Sequence, residues 1–264
     1  MDAAEGARTF LTTGNAYDLF MGRYSRPLAM KFADSVGLAK GISALDVGCG
    51  PGALTSVLVD RLGVARVVAM DPSPPFVAEC TARHPGVDVR LGRAEEIPFA
   101  DACVDVAMAQ LVLHFVSDPL AAAGEMRRVV RPAGTVAACV WDFAKEMEML
   151  RLFWDSALAV DPNAPDEART LRFGGPGEIT ELLTEAGLVD VVETTLTVSS
   201  TYEVFNELWD GFLGGIGPAG AFCLSLSEAS RAAVRSEMFR RLGSPSGSFA
   251  LTAVARSAQG RVPE

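Results

Sequence analysis

The segment Leu45-Asp46-Val47-Gly48-Cys49-Gly50-Pro51-Gly52 sets a carboxylate just ahead of three alternating glycines, and a second acid, Asp71, closes the next apolar run. Glycines at the end of a strand permit positive φ and let a ligand come close to the chain. They also leave the backbone N–H groups of the following helix aimed at that ligand. A carboxylate beside such a loop repels a diphosphate and favours a ligand whose near end is cationic. Asp71 suits a vicinal diol, because a carboxylate can accept a hydrogen bond from each hydroxyl.

Three ligand classes use glycine loops of this kind. A mononucleotide P-loop needs a lysine and a hydroxyl residue directly after its glycines, where this chain has Ala53 and Leu54. The dinucleotide fingerprint is satisfied literally by Gly48, Gly50 and Ala53, with Asp71 as the acid for a ribose. The glycines alone therefore leave a nicotinamide dehydrogenase open, although the chain has no Tyr-x-x-x-Lys pair. Asp46 weighs toward S-adenosylmethionine, which carries an ammonium and a sulfonium at one end and ribose hydroxyls further along.

These groups need a scaffold that brings strand ends together. Short β-rich runs at residues 44–47, 66–70, 87–91, 104–109 and 135–141 alternate with helical patterns at 53–62, 74–83 and 119–130. This is the pattern of a doubly wound α/β fold with a parallel sheet. Two further strands are predicted at 189–198 and 248–255, separated by helical periodicity over 202–242 that reads as a lid or substrate lobe. A second insertion over 142–173 holds an amphipathic stretch at 146–158. Ahead of the sheet, residues 15–37 predict a helix, a break at 23–25 and a second helix with Ser25 as N-cap and Pro27 in its first turn. The organisation expected is one domain over 1–264. It comprises an N-terminal helical lid (1–40), a cofactor-binding core (41–141), helical substrate-lobe insertions (142–173 and 199–246), and a last strand and tail (247–264).

A net charge of -10 opposes a nucleic-acid partner unless a local basic patch reverses the field, and no basic run occurs. No apolar stretch is long enough to cross a bilayer, and the N-terminus lacks a basic segment followed by an apolar one. The five cysteines lack C-x-x-C spacing and the two histidines do not cluster with them, so a cytoplasmic protein with reduced thiols and no metal is expected.

The chain resembles the class I S-adenosylmethionine-dependent methyltransferases of the broad small-molecule type. Leu45 to Gly52 is similar to the family's first motif, and Val68-Ala69-Met70-Asp71-Pro72-Ser73 to the segment carrying its ribose-binding acid. Gly92-Arg93-Ala94-Glu95-Glu96-Ile97-Pro98-Phe99 resembles the adenine loop, and Arg127 to Thr135 the turn into the fifth strand. The resemblance implies a Rossmann-like sheet of seven strands with the last antiparallel. It also implies S-adenosylmethionine held by Asp46, Gly48, Cys49, Gly50, Gly52, Asp71, Pro72, Ala94 and Glu95, with Gln110 and Leu111 near its methionyl end. Arg93 departs from the acid often found there and cannot accept a bond from adenine, which shifts adenine recognition to Ala94, Glu95, Pro72 and Ile97.

Methyl transfer from a sulfonium draws on proximity and alignment, and a base helps only when the nucleophile arrives protonated. His114 follows the fourth strand and is the candidate base, weighed against a packed imidazole bonded to backbone. Arg23 is a candidate partner for the methionine carboxylate, with Tyr17 or Tyr24 over the sulfonium face. Trp141, Phe143, Trp154, Phe173, Trp209 and Phe212 could line a pocket for an apolar or aromatic small-molecule acceptor, though each alone reads more readily as core. A non-catalytic cofactor-binding or regulatory protein is the alternative.

Overall fold

The computed structural model describes residues 18–264, so Tyr17 lies outside the described residues. A seven-stranded sheet runs in the order β3-β2-β1-β4-β5-β7-β6. Its strands are β1 (Ala44–Val47), β2 (Val67–Asp71), β3 (Asp88–Leu91), β4 (Val104–Gln110), β5 (Val130–Trp141), β6 (Val189–Tyr202) and β7 (Phe249–Arg261). The pairs among β1 to β5 are parallel, whereas β7 lies between β5 and β6 and is antiparallel to both. This is the mostly parallel doubly wound sheet expected, with its last strand reversed.

Every residue of β1 is buried, as a strand covered on both faces requires. After β3 the chain crosses back to place β4 on the other side of β1. The strand order therefore reverses beside β1, and ligands of open α/β sheets bind at the carboxyl ends of strands at such a point.

Helices α1 (Arg23–Val36), α2 (Ala53–Leu62), α3 (Pro74–Arg83) and α4 (Pro119–Val129) cover the sheet. Pro74 and Pro119 occupy first-turn positions that need no N–H donor, and Asp118 caps α4 by accepting from Ala121 N at 3.0 Å. The break predicted at 23–25 is absent. A π-helical turn (Asp18–Gly22) runs directly into α1, and Ser25 is buried inside the helix rather than at its cap. Burial of Tyr24, Leu28 and Phe32 on one face, with Tyr24 bonded hydroxyl to hydroxyl to Tyr202 of β6 at 3.1 Å, sets the register that the cap residue was expected to set.

The two insertions are helical. The first carries α5 (Glu148–Val160) and a single 3-10 turn (Glu167–Arg169), and α6 (Glu178–Glu185) follows it. The second divides the predicted 202–242 helix into α7 (Phe205–Leu213), α8 (Gly217–Ser225) and α9 (Glu228–Arg241). Strands β6 and β7 reach further than predicted, to Tyr202 and Arg261, because they pair along nearly their whole length. Trp154, Phe173, Trp209 and Phe212 pack in the core, with Phe153 and Phe212 stacked at a centroid distance of 4.4 Å.

Candidate active site

The glycine loop is pinned to the end of β2. Gly48 N and Cys49 N both donate to Met70 O, at 2.8 and 2.9 Å, which folds the chain over the neighbouring strand before α2 begins. At Gly48, φ is +70° and an added Cβ would stand 2.5 Å from Val112 Cγ2, so both conformation and space demand glycine there. Gly52 has φ of +100°, but its open side faces His84 and Cys80, and it does not line the cavity. What this conformation shows for Gly52 is the turn into α2.

One cavity of about 450 Å³ lies above this loop. It brings together Asp46, Gly48, Cys49, Gly50, Asp71, Pro72, Ala94, Glu95, Gln110, Leu111 and His114 from the sequence-based set. Asp46 is almost fully buried and accepts from Thr55 Oγ1 at 2.6 Å. Burial, helped by the neighbouring Asp71 charge, lifts its pKa to about 7 against the opposing pull of the Thr55 hydroxyl. Asp71 accepts from Gly50 N at 2.9 Å through one oxygen and from Ser73 N at 2.8 Å through the other. Its pKa is raised to about 6 by burial, which outweighs these two bonds. Each Asp71 oxygen retains lone-pair capacity for a ligand hydroxyl.

At the end of β4, Gln110 donates to Ser25 O at 3.0 Å while its own Oε1 is buried without a partner among the described residues. Leu111 takes a positive φ of 62°, which is costly for a residue with a branched side chain, and its N–H donates to Cys139 O at 2.8 Å. Glycine cradle, two buried carboxyls and an orphaned amide oxygen make a polar end that fits a cationic amino-acid nucleoside. Arg93 also lines the cavity and pairs with Glu95 at 3.3 Å, while Ile97 stays in the core.

Arg23 does not line the cavity. Its guanidinium pairs with Glu207 of α7 at 2.5 Å and lies over the Tyr202 ring at 4.1 Å, so in this structure it is engaged away from the expected place of the methionine carboxylate. It joins the N-terminal segment to the second insertion, while the neighbouring Phe20 and Met21 reach the cavity. Tyr24 is likewise buried away from it.

His114 is buried with its ring against Phe115 at 3.9 Å and Phe143 at 5.0 Å, and its Nδ1 has no partner among the described residues. Burial pushes its pKa down to about 3, so the imidazole is neutral at physiological pH. Trp141, Phe143, Leu150, Ile216, Pro218 and Ala219 also line the cavity. One acid absent from the sequence-based set also lines it: Glu167, whose Oε1 accepts from Trp154 Nε1 at 2.8 Å. No group of three or more His, Cys, Asp or Glu arranged to hold a metal occurs among the described residues.

Comparison with known proteins gives the family. Residues 45–138 match a family model described as "Methyltransferase domain". The chain is 30% identical over 201 residues to nocamycin O-methyltransferase of Saccharothrix syringae, covering 67% of this chain and 70% of that protein. It is 42% identical over 110 residues to an uncharacterized methyltransferase of Mycobacterium tuberculosis, covering 42% of each. The chain thus spans less than half the length of several curated relatives it matches. Among solved structures, it superposes with a TM-score of 0.57 and 16% identity on Haemonchus contortus phosphoethanolamine N-methyltransferase 2 in complex with phosphomonomethylethanolamine and S-adenosylhomocysteine, over 95% of this chain and 57% of that one. At that identity the likeness is one of fold.

Proposed function

The chain belongs to the S-adenosylmethionine-dependent methyltransferases, and from that premise we propose that it transfers the methyl group to a small, apolar or aromatic acceptor. The observation that carries this reading is the polarity of the cavity. The buried carboxyls and glycine backbone come from the ends of β1 and β2, whereas Trp141 closes β5, on the other side of β4, and Phe143, Leu150 and Ile216 come from the insertions. Asp46, Gly48, Cys49, Gly50, Asp71, Pro72, Ala94, Glu95, Gln110 and Leu111 are the proposed cofactor contacts, with Phe20 and Met21 covering them. When bound, S-adenosylmethionine supplies an activated methyl on a good leaving group. The protein's task is to hold acceptor and sulfonium in line and exclude water.

Residues 41–141 serve as the cofactor half, and the two insertions as the acceptor half. The net charge of -10 supports a small molecule over nucleic acid as acceptor. The five unpaired thiols support the cytoplasm as the compartment; no helix among the described residues is long and apolar enough to cross a membrane.

The test is calorimetric titration with S-adenosylmethionine, S-adenosylhomocysteine and NAD. It is followed by mass spectrometry for a 14 Da gain across a panel of apolar phenols, alcohols, amines and carboxylic acids. Binding of both adenosyl ligands with methyl transfer to a panel member is the expected result. Binding of NAD in their place sinks the reading, and tight cofactor binding with no transfer to any acceptor favours the regulatory alternative.

A further inference from the structure

Glu167 lines the cavity together with the aromatic and aliphatic side chains of Trp141, Phe143, Leu150 and Ile216, and no ion pair holds it among the described residues. Its neighbour Asp166 occupies Arg151 through both oxygens, each at 2.9 Å, and Arg151 also holds Asp155 at 2.8 Å. Asp166 further caps the 3-10 turn by accepting from Ala168 N at 3.0 Å. The Glu167 carbonyl accepts from Thr170 N and Leu171 N at 3.0 and 2.8 Å, so the residue is clamped on both sides. Its side chain is 4% exposed, and the Trp154 indole is its only hydrogen-bond donor among the described residues. A carboxylate offers about four lone-pair sites, and the Trp154 bond fills one of them, which leaves the others for a ligand donor or a proton. A fixed acid of this kind, in a wall of aromatic and aliphatic side chains, faces whatever occupies the acceptor end.

We propose that Glu167 is a catalytic residue that takes the proton of a hydroxyl acceptor, a phenol or alcohol, which makes the reaction an O-methylation. The inference rests on the methyl-transfer reading above. In the step, the acceptor O–H bond breaks and its proton passes to the Glu167 carboxylate. The oxygen forms the new C–O bond as the carbon–sulfur bond breaks, and that bond's electron pair stays on sulfur. An aliphatic amine acceptor would arrive as an ammonium and be held by the carboxylate with its lone pair blocked; a carboxylate acceptor would be repelled and has no proton to give. The environment suits a base working at neutrality. Burial lifts the Glu167 pKa to about 7, with Asp166 pushing it further up and the Trp154 bond and Arg151 pulling it down. His114, on the same cavity, is held neutral and is the weaker base.

Two probes of one shape test the recognition, 2-naphthol and 2-methoxynaphthalene, titrated into protein saturated with S-adenosylhomocysteine and followed by tryptophan fluorescence. The naphthol is expected to bind about tenfold or more tightly than its ether, as a hydrogen bond to a charged group implies. Glu167→Gln keeps an acceptor for Trp154 but loses the charge, and it should bring that preference to within about threefold while S-adenosylhomocysteine affinity holds. In turnover with tritiated S-adenosylmethionine, Glu167→Gln should lower kcat by about 100-fold or more and remove the rising limb of kcat near pH 7. A wild type that does not prefer the naphthol, or a Gln variant with unchanged kcat and pH profile, overturns the proposal and leaves the methyltransferase reading standing. Wild-type protein that fails to bind S-adenosylhomocysteine overturns the reading beneath it instead.

Discussion

The two ends of the cavity are built by different kinds of contact. At the cofactor end, backbone does most of the work: Gly48 and Cys49 tie the loop to Met70 O, Gly50 N–H meets Asp71, and glycine at 48 leaves room for Val112. At the acceptor end, side chains from remote segments converge. Phe143, Leu150 and Glu167 come from the first insertion, Ile216 and Ala219 from the second. A backbone-built site tolerates few substitutions and recognises a fixed ligand. A side-chain-built site can change its lining without disturbing the strands, so one fold can serve many acceptors.

The sharpest way to break this contrast is Gly48→Val. A β-branched residue at φ of +70°, with its Cβ 2.5 Å from Val112 Cγ2, must shift the loop. S-adenosylmethionine affinity should fall by about 100-fold or more in calorimetry, while circular dichroism keeps the native spectrum. A variant that binds within about threefold of wild type would show that the backbone cradle is not what holds the cofactor.

The same contrast explains what was legible in the sequence. Asp46, the glycine loop and Asp71 lie within one β-α-β unit, where spacing alone fixes their relative positions. Glu167 sits in Pro165-Asp166-Glu167, which reads as a solvated acidic turn. Which of its two acids faces inward depends on Arg151 claiming Asp166, a contact set by the packing of α5. Arg23 takes a partner that was hidden for a related reason. Its proximity to the loop is a matter of chain order, but its partner Glu207 comes from an insertion 184 positions away, and no local pattern announces that pair. Ser25 has the chemistry of a cap, yet a buried apolar face carried the helix past it.

A second, smaller effect separates the ends by charge. Asp46 and Asp71 have pKa values raised to about 7 and about 6 in the ligand-free protein, and a cationic ligand favours their ionised forms. Affinity for S-adenosylmethionine should therefore rise by about tenfold between pH 5.5 and 7.5 and then level off. S-adenosylhomocysteine, which lacks the sulfonium charge, should show a shallower rise, and calorimetry at several pH values measures both. The sign for folding is opposite. Carboxyls whose folded pKa exceeds the unfolded value favour the native state in acid, and that contribution is lost as pH rises from about 4 to about 7. His114, with its pKa depressed from 6.5 to about 3, works against this trend. Its contribution is lost as pH falls from 6.5 toward 3. An affinity for the sulfonium ligand that is flat across this range would remove Asp46 and Asp71 from its contacts.

The smallest effect is expected at His114, the residue whose type most invites a catalytic role. Its ring packs between Phe115 and Phe143, and a neutral imidazole with a pKa of about 3 has no proton equilibrium near neutrality. His114→Ala should lower kcat by no more than about tenfold, through a loosened acceptor wall, because an ordinary general base supplies about 100-fold or more. The diagnostic is the pH–rate profile: the limb near pH 7 should persist in His114→Ala and vanish in Glu167→Gln. If the limb instead vanishes with His114 and survives in Glu167→Gln, the two residues exchange roles. The unpartnered Nδ1 would then mark the proton's destination, and the acid of the first insertion would be left as an anchor for Trp154.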